Sequence, residues 1–296
     1  MTESGAEKKE YGNSPGITGE AAEKLRHIGV RILSAARDEL YFSMRFMDVA
    51  LSSLAYQMDA SVSPFGTDGA ILYFHPRQLG GLLRENRILV NRGYLHMVLH
   101  CIFRHMFKEG TEERYWNLSC DIAVEHIIDG CDLRPVRFSR SLLRRETYRK
   151  LEQSGHVLNA ERICRELKAC GLEEKELKAL EEEFRTDDHR YWERQGKDGK
   201  SDPELSRKWQ DIDGKMQTDL ETFSKEASEK SGDLLDQLRV ETRERHDYRE
   251  FLRKFSVLRE EMTADPDTFD YGFYTYGLSL YGNMPLIEPQ ETREVK

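Results

Sequence analysis

LVNRGYLHMVLHCIFRHMF, residues 89–107, is apolar on nearly every side at helical spacing. Leu89, Val90, Leu95, Val98, Leu99, Cys101, Ile102, Phe103 and Met106 leave no solvated stripe, so the stretch reads as a central, buried helix over about 88–107. His96 and His100 lie four residues apart within it, which places their imidazoles on one face, about 40° apart. That spacing alone supplies two of the four ligands of a zinc site. Bare His-x-x-x-His is more often a pair of core histidines satisfied by other partners. Two imidazoles in so apolar a helix do need polar partners, however, and a shared metal satisfies both at once. Met97 stands between them, and a thioether carries no proton to transfer.

Downstream, WNLSCDIAVEHIID, residues 116–129, reads as a second apolar helix over about 113–129. Asp121 falls on or beside its apolar face and is the candidate third ligand, since a carboxylate there would otherwise be buried unpaired. Glu125, one turn on and nearer the edge of that face, is a candidate ligand, ligand support, substitute general base or only a solvated residue, and His126 should face outward. His105 is nine residues past His96 and joins the site only if the first helix bends or ends early. Asp187, Asp188 and His189 in TDDHRYW could add a ligand, but a solvated loop is the favoured reading there. Asp59, Ser61 and Ser63 match an Asp-x-Ser-x-Ser metal-adhesion pattern, which needs a strand before it, whereas residues 50–58 read as an amphipathic helix.

Upstream, the apolar spacing from Thr18 to about Met58 predicts one long helix or two short ones. Turn-rich SVSPFGTDG follows, then a short strand AILYF and a helix after Pro76. Beyond Pro135 the composition shifts to charged, Leu-punctuated helices near 140–153, 159–169, 173–184, 203–229 and 247–262. The fold class is mainly α: a zincin-like helical core with a short strand or hairpin, plus a charged helical arm. Expected divisions are a disordered tail at 1–17, a core at 18–134, a charged helical subdomain at 135–265 and an aromatic C-terminal arm at 266–296.

The 296 residues are 33% charged with a net charge of −9, and the mean hydropathy is −0.71. An acidic chain lacks the basic surface that nonspecific nucleic-acid binding requires, and a cation or a basic partner suits it better. The five cysteines form no Cys-x-x-Cys pair and read as reduced thiols. With no apolar leader and no run of about 18 apolar residues, the expectation is a soluble cytoplasmic protein with no membrane partner.

FGTDGAILYFHP, LHMVLHCIFRH and WNLSCDIAVEHIID, and more weakly DDHRYW and FYTYGLSLYGNMPLIEP, together resemble a bacterial metallopeptidase-type domain. That domain precedes von Willebrand factor A-like domains in proteins often encoded beside MoxR-type AAA+ ATPases. The resemblance implies a metal site, with His96, His100 and His105 at the histidines of a His-Glu-x-x-His-x-x-x-x-His pattern and Asp121 at the aspartate of a Trp-Asn-x-x-x-Asp pattern. It implies Zn2+ as cofactor, a peptide or protein substrate, and a MoxR-type AAA+ ATPase as partner. Met97 stands where that pattern has its glutamate, so the expectation is a zinc-binding domain of impaired catalysis. The alternative is a non-enzymatic interaction module working with the ATPase. No A-like domain follows before Lys296.

Overall fold

The computed structural model describes residues 19–108, 113–131, 133–153, 158–194, 203–216, 260–269 and 289–295. Helix α1 spans Gly19–Ser43, and after a 3-10 turn at Arg45–Met47 the short α2 covers Asp48–Leu51. The helical spacing expected to reach Met58 stops here. Ser53 turns its hydroxyl onto the Val49 carbonyl at 2.5 Å, and Ala55–Met58 forms strand β1. Leu54, Tyr56 and Met58 alternate as well as they repeat helically, and for so short a run only a strand partner decides. That partner is β3, Ile71–Phe74, lying parallel to β1, while β2, Phe65–Thr67, pairs with the other edge of β3 antiparallel. The expected strand at AILYF is therefore the middle strand of a small sheet.

Helix α3, Pro76–Glu85, opens with proline in its first turn and the His75 ring accepting from the Arg77 and Gln78 amides at 3.2 and 3.3 Å. Helix α4, Arg87–Ile102, is capped by Asn86, whose side-chain oxygen accepts from the Ile88 amide at 2.9 Å. Every residue from Val90 to Ile102 is buried, as expected of a central helix. It packs against α1, α3, β2 and α5, Glu113–Gly130. Arg104 ends it in the left-handed region, at φ 54°, so His105 begins a separate 3-10 turn at His105–Phe107.

The charged half supplies α6, Leu142–Glu152; α7, Ala160–Cys170; α8, Glu174–Phe184; a 3-10 segment, His189–Arg194; and α9 at 203–216. These helices do not stand apart from residues 18–134. One apolar core runs from Leu33 to Met216, α7 and α8 pack on α5, and the buried Trp209 donates its indole N–H to the Gly69 carbonyl at 2.7 Å. The helices are charged outside because only one stripe of each meets this core. Buried residues of α7, for example, are Ala160, Ile163, Cys164 and Leu167.

Residues 243–296 form a separate compact unit, of which the described part is an antiparallel pair, β4 at Glu260–Phe269 and β5 at Pro289–Val295. The helix expected over 247–262 thus gives way to strand at its last residues, and 247–259 lies outside the described residues, as do the 1–17 tail and most of the aromatic run. Among the described residues no helix is long and apolar enough to cross a membrane.

Gly93, in the middle of α4, shows how tightly the central helix meets the sheet. A Cβ there would lie 2.3 Å from the Phe65 ring, itself fully buried on β2. Alanine would gain about 1 kcal/mol of helix propensity at this position. Overpacking a filled core costs about 1–3 kcal/mol, so Gly93→Ala should be net destabilising. Urea unfolding that gave an unchanged or raised midpoint would contradict this packing.

Candidate metal centre

Three pieces of chain build the site. Helix α4 presents His96 and His100 from successive turns, α5 presents Asp121 and Glu125 in the same way, and the loop after α8 brings Asp187 and His189. The loop is fixed by backbone and aromatic contacts. The Asp188 amide donates to the Phe65 carbonyl at 2.8 Å, and Tyr191 stacks on Tyr73 with centroids 4.1 Å apart while its hydroxyl donates to Asp59 at 2.6 Å. Gly66 permits the approach, since a Cβ there would meet the Asp188 carbonyl at 2.9 Å. Trp192 then stacks on the His189 ring, centroids 3.7 Å apart.

One ligand atom each from His96, His100, Asp121 and Asp187 lies within 4.8 Å of all the others, and all four residues are buried. The Nε2 of His96 is 3.5 Å from Asp121 Oδ1 and 3.6 Å from Asp187 Oδ1, and that of His100 is 3.4 Å from Asp121 Oδ1. Ligands held about 2.0–2.2 Å from a tetrahedral ion stand roughly 3.3–3.6 Å from one another. The exception is the pair of Nε2 atoms, 2.7 Å apart, which is a hydrogen-bonding distance. His189 Nε2 approaches Asp121 Oδ1 at 3.0 Å and Asp187 Oδ1 at 2.9 Å.

Close as they are, several of these atoms remain unsatisfied. Asp121 Oδ1, both Asp187 carboxylate oxygens and His189 Nε2 are buried with no aligned hydrogen bond. Orphaned donors and acceptors that converge on one point fit a shared cation far better than a closed polar network. Two imidazole nitrogens and two carboxylate oxygens form a set suited to a divalent metal ion.

The electrostatics agree. Burial by itself would raise the Asp187 and Asp121 carboxyls, but His189 and the other imidazoles outweigh it and hold both far below the usual carboxylate range. Burial likewise opposes a charge on His189, yet Asp187 and Asp121 push its pKa up to about 10. His96 is also raised, against burial, by Asp121, Asp187 and Glu125, whereas burial and the neighbouring His96 push His100 down to about 4. Two ionised carboxylates in a dry pocket thus draw positive charge onto the ring nitrogens beside them.

Glu125 lies on the other side of His96. Its Oε1 is 2.8 Å from His96 Nδ1, the ring nitrogen facing away from the cluster, and its Oε2 accepts from Arg92 and from Arg144 at 2.6 Å. Pairing of this kind keeps it ionised, well below the usual range despite complete burial. It sits where a residue that orients His96 would sit, and its oxygens are engaged away from the cleft, which is a poor position for the substitute base entertained above.

His105 occupies the matching place behind His100, Nδ1 to Nδ1 at 2.9 Å. The early end of α4 allows this, but it brings His105 to the outer nitrogen of His100 rather than among the converging atoms. Met97 is fully buried in the apolar core. His126 keeps to the edge of α5, 3.2 Å from Glu152. Asp59 follows a strand after all, but its carboxylate closes on the Ser61 amide and hydroxyl and on Tyr191, and it belongs to no cluster of metal-binding type.

Asp187 and His189 are the residues that sequence reasoning set aside for a solvated loop. Polar TDDHR has no periodicity to show which side chain faces inward. The signal available was the Tyr191-Trp192 pair immediately after, since two large aromatics must be buried and pull the preceding residues toward the core.

No curated protein and no solved structure gives a significant match to the chain. The sequence profile of the family described as "Putative metallopeptidase domain" matches residues 31–253, which include every element of the site. The chain therefore belongs to that metallopeptidase-domain family.

Proposed function

We propose that His96, His100, Asp121 and Asp187 hold one zinc ion, with His189 at its open side, and that this chain is a metallopeptidase-like domain whose catalysis is impaired. The observation that carries the reading is the convergence of four buried ligand atoms, of which the Asp121 and Asp187 oxygens have no aligned hydrogen bond. Zinc bound there would supply Lewis acidity toward a carbonyl or a water. The chain's own residues would hold the ion, orient His96 through Glu125 and exclude water. What they lack is a proton carrier on the cleft side. Met97 has no ionisable group, and Glu125 is committed to His96 and two arginines.

Four protein donors, with a fifth beside them, also resemble a closed structural set more than a catalytic set with an open position. This favours the second reading, a zinc-stapled interaction module. Its partner on that reading is a MoxR-type AAA+ ATPase in the cytoplasm. Support for this comes from the resemblance of the sequence motifs alone.

Metal analysis of untagged protein should find about one zinc per chain. His96→Ala and His100→Ala should each lose it, together with the stabilisation of about 4 kcal/mol that a ligand present at a thousand times its dissociation constant confers. Asp187→Asn should weaken binding sharply while Asp188→Asn, one residue away, leaves it nearly intact. Stoichiometric zinc in the His96→Ala/His100→Ala double variant would overturn the assignment.

The support given to His96 is tested by Glu125→Gln. Loss of such a partner costs about 10–100-fold in metal affinity, and a zinc dissociation constant equal to that of the unmodified chain would remove Glu125 from this role.

For catalysis, the unmodified chain should cleave an unstructured peptide at or near background even when zinc-loaded. A positioned acid–base group adds a factor of about 10²–10⁴. Met97→Glu should therefore bring cleavage above background, provided circular dichroism shows that the carboxylate has not unfolded α4. Robust, chelator-sensitive proteolysis by the unmodified chain, lost in His100→Ala, would show that another base operates.

A further inference from the structure

Above the converging donors lies an open cleft of about 300 Å³ whose floor includes Asp121, Asp187 and His189. Three arginines line it, and two are already neutralised. Arg114 is held by Glu174 and Glu181 at 2.6 to 3.1 Å, and Arg190 by Asp188 at 2.8 Å. Arg185 differs. It is exposed, its backbone amide donates to the Glu181 carbonyl, and its guanidinium has no ion-pair or hydrogen-bond partner among the described residues. The same side chain borders a second cavity of about 310 Å³, in which Phe65, Leu82 and Phe138 share the lining with the Glu125, Asp129 and Arg144 network.

A guanidinium with no partner among the described residues, at the edge of a cleft over buried donors, is suited to a planar anion. A guanidinium matches a carboxylate with two parallel N–H donors, which a lysine could not do. We propose that the cleft takes a peptide by a carboxylate received by Arg185. This deepens the metallopeptidase-like reading and rests on it: the bound peptide backbone would lie over the donor cluster, whether or not it is then cut. The carboxylate is either a chain terminus or an acidic side chain, and both present the same two oxygens.

Binding to the full-length chain can be measured by calorimetry with four probes: N-acetyl-Ala-Ala-Phe as free acid, the same peptide as C-terminal amide, and N-acetyl-Ala-Phe-Glu-Ala-amide with its Gln counterpart. Each is titrated into unmodified, Arg185→Gln and Arg185→Lys protein, zinc-loaded and chelator-treated, with zinc content determined in the same samples. The expected result is that at least one carboxylate peptide binds about tenfold or more tightly than its amide partner. That preference should disappear in Arg185→Gln, be only partly kept in Arg185→Lys, and leave zinc content unchanged. Preference for the free acid assigns a chain terminus, and preference for the interior Glu assigns a side chain. Equal affinities for acid and amide in the unmodified chain, or a preference that survives Arg185→Gln, would overturn the proposal. Absence of zinc with an Arg185-dependent preference would instead overturn the metal reading and leave the carboxylate site standing.

Discussion

Burying two carboxylates against three imidazoles, with the hydrogen bonds among them misaligned, is the constraint on which the rest of the structure depends. Each group has left water, so each must find compensation within the fold or shift toward neutrality. The carboxylates stay ionised because His189 and His96 beside them carry positive charge, as His189, pushed up to about 10, shows most directly. A divalent cation placed among the same atoms would answer that demand with directed bonds where protons answer it only by charge. The apolar character of α4 follows from this. A helix with a solvated stripe could not keep His96 and His100 dry, and their four-residue spacing would then have no consequence.

The donors do not hold themselves in position. Behind His96, Glu125 is shared by Arg92 and Arg144, Asp129 accepts from the same two arginines and from the Tyr148 hydroxyl, and Glu183 of α8 accepts from Arg144. One ionic network therefore ties α4, α5, α6 and α8 together directly beneath the site. Such a network is weak evidence for stability, because taking its charges out of water costs several kcal/mol per ion and the Coulombic gain offsets that only when geometry and hydrogen bonding are complete. Its main effect is positional. With both Glu125 oxygens and the Arg92 guanidinium fully engaged, the His96 ring has one orientation, and its Nε2 points at the cluster. The helices beyond Pro135, which composition alone marks as a solvated arm, thus belong to the foundation of the site.

What the sequence disclosed about this arrangement divides along a physical line. Features carried by periodicity within one element were legible: the burial of α4, the shared face of His96 and His100, and Asp121 on the apolar side of α5. The strand at Ile71–Phe74 was also legible, because turn residues bound it. Features that arise only when distant segments meet were not. Ala55–Met58 is a strand because β3 lies beside it, and Asp187 and His189 enter the site because Gly66, Phe65 and Tyr73 receive the loop that carries them. For His105 the decisive fact was a single backbone dihedral at Arg104, and no spacing rule specifies where a helix turns left-handed at an arginine.

Met97 bears on more than the loss of a base. A carboxylate following His96 could pass a proton to a substrate, whereas the methionine there is fully buried and has none to pass. Retaining an apolar residue at that position is consistent with a helix maintained for holding and orienting rather than for proton transfer. The surroundings point the same way: four donors converge, a fifth closes over them under Trp192, and an unpaired guanidinium stands at the rim above. Catalysis requires interactions stronger in the transition state than in the ground state, which here would need a mobile proton at the reacting bond. Binding requires only complementarity to the ground state, and the groups that the proposed reading draws on are a converging donor set in the floor and an arginine at the edge. A peptide held over the donor cluster without being cleaved is the outcome that the proposed reading implies, with Met97 supplying no proton carrier there.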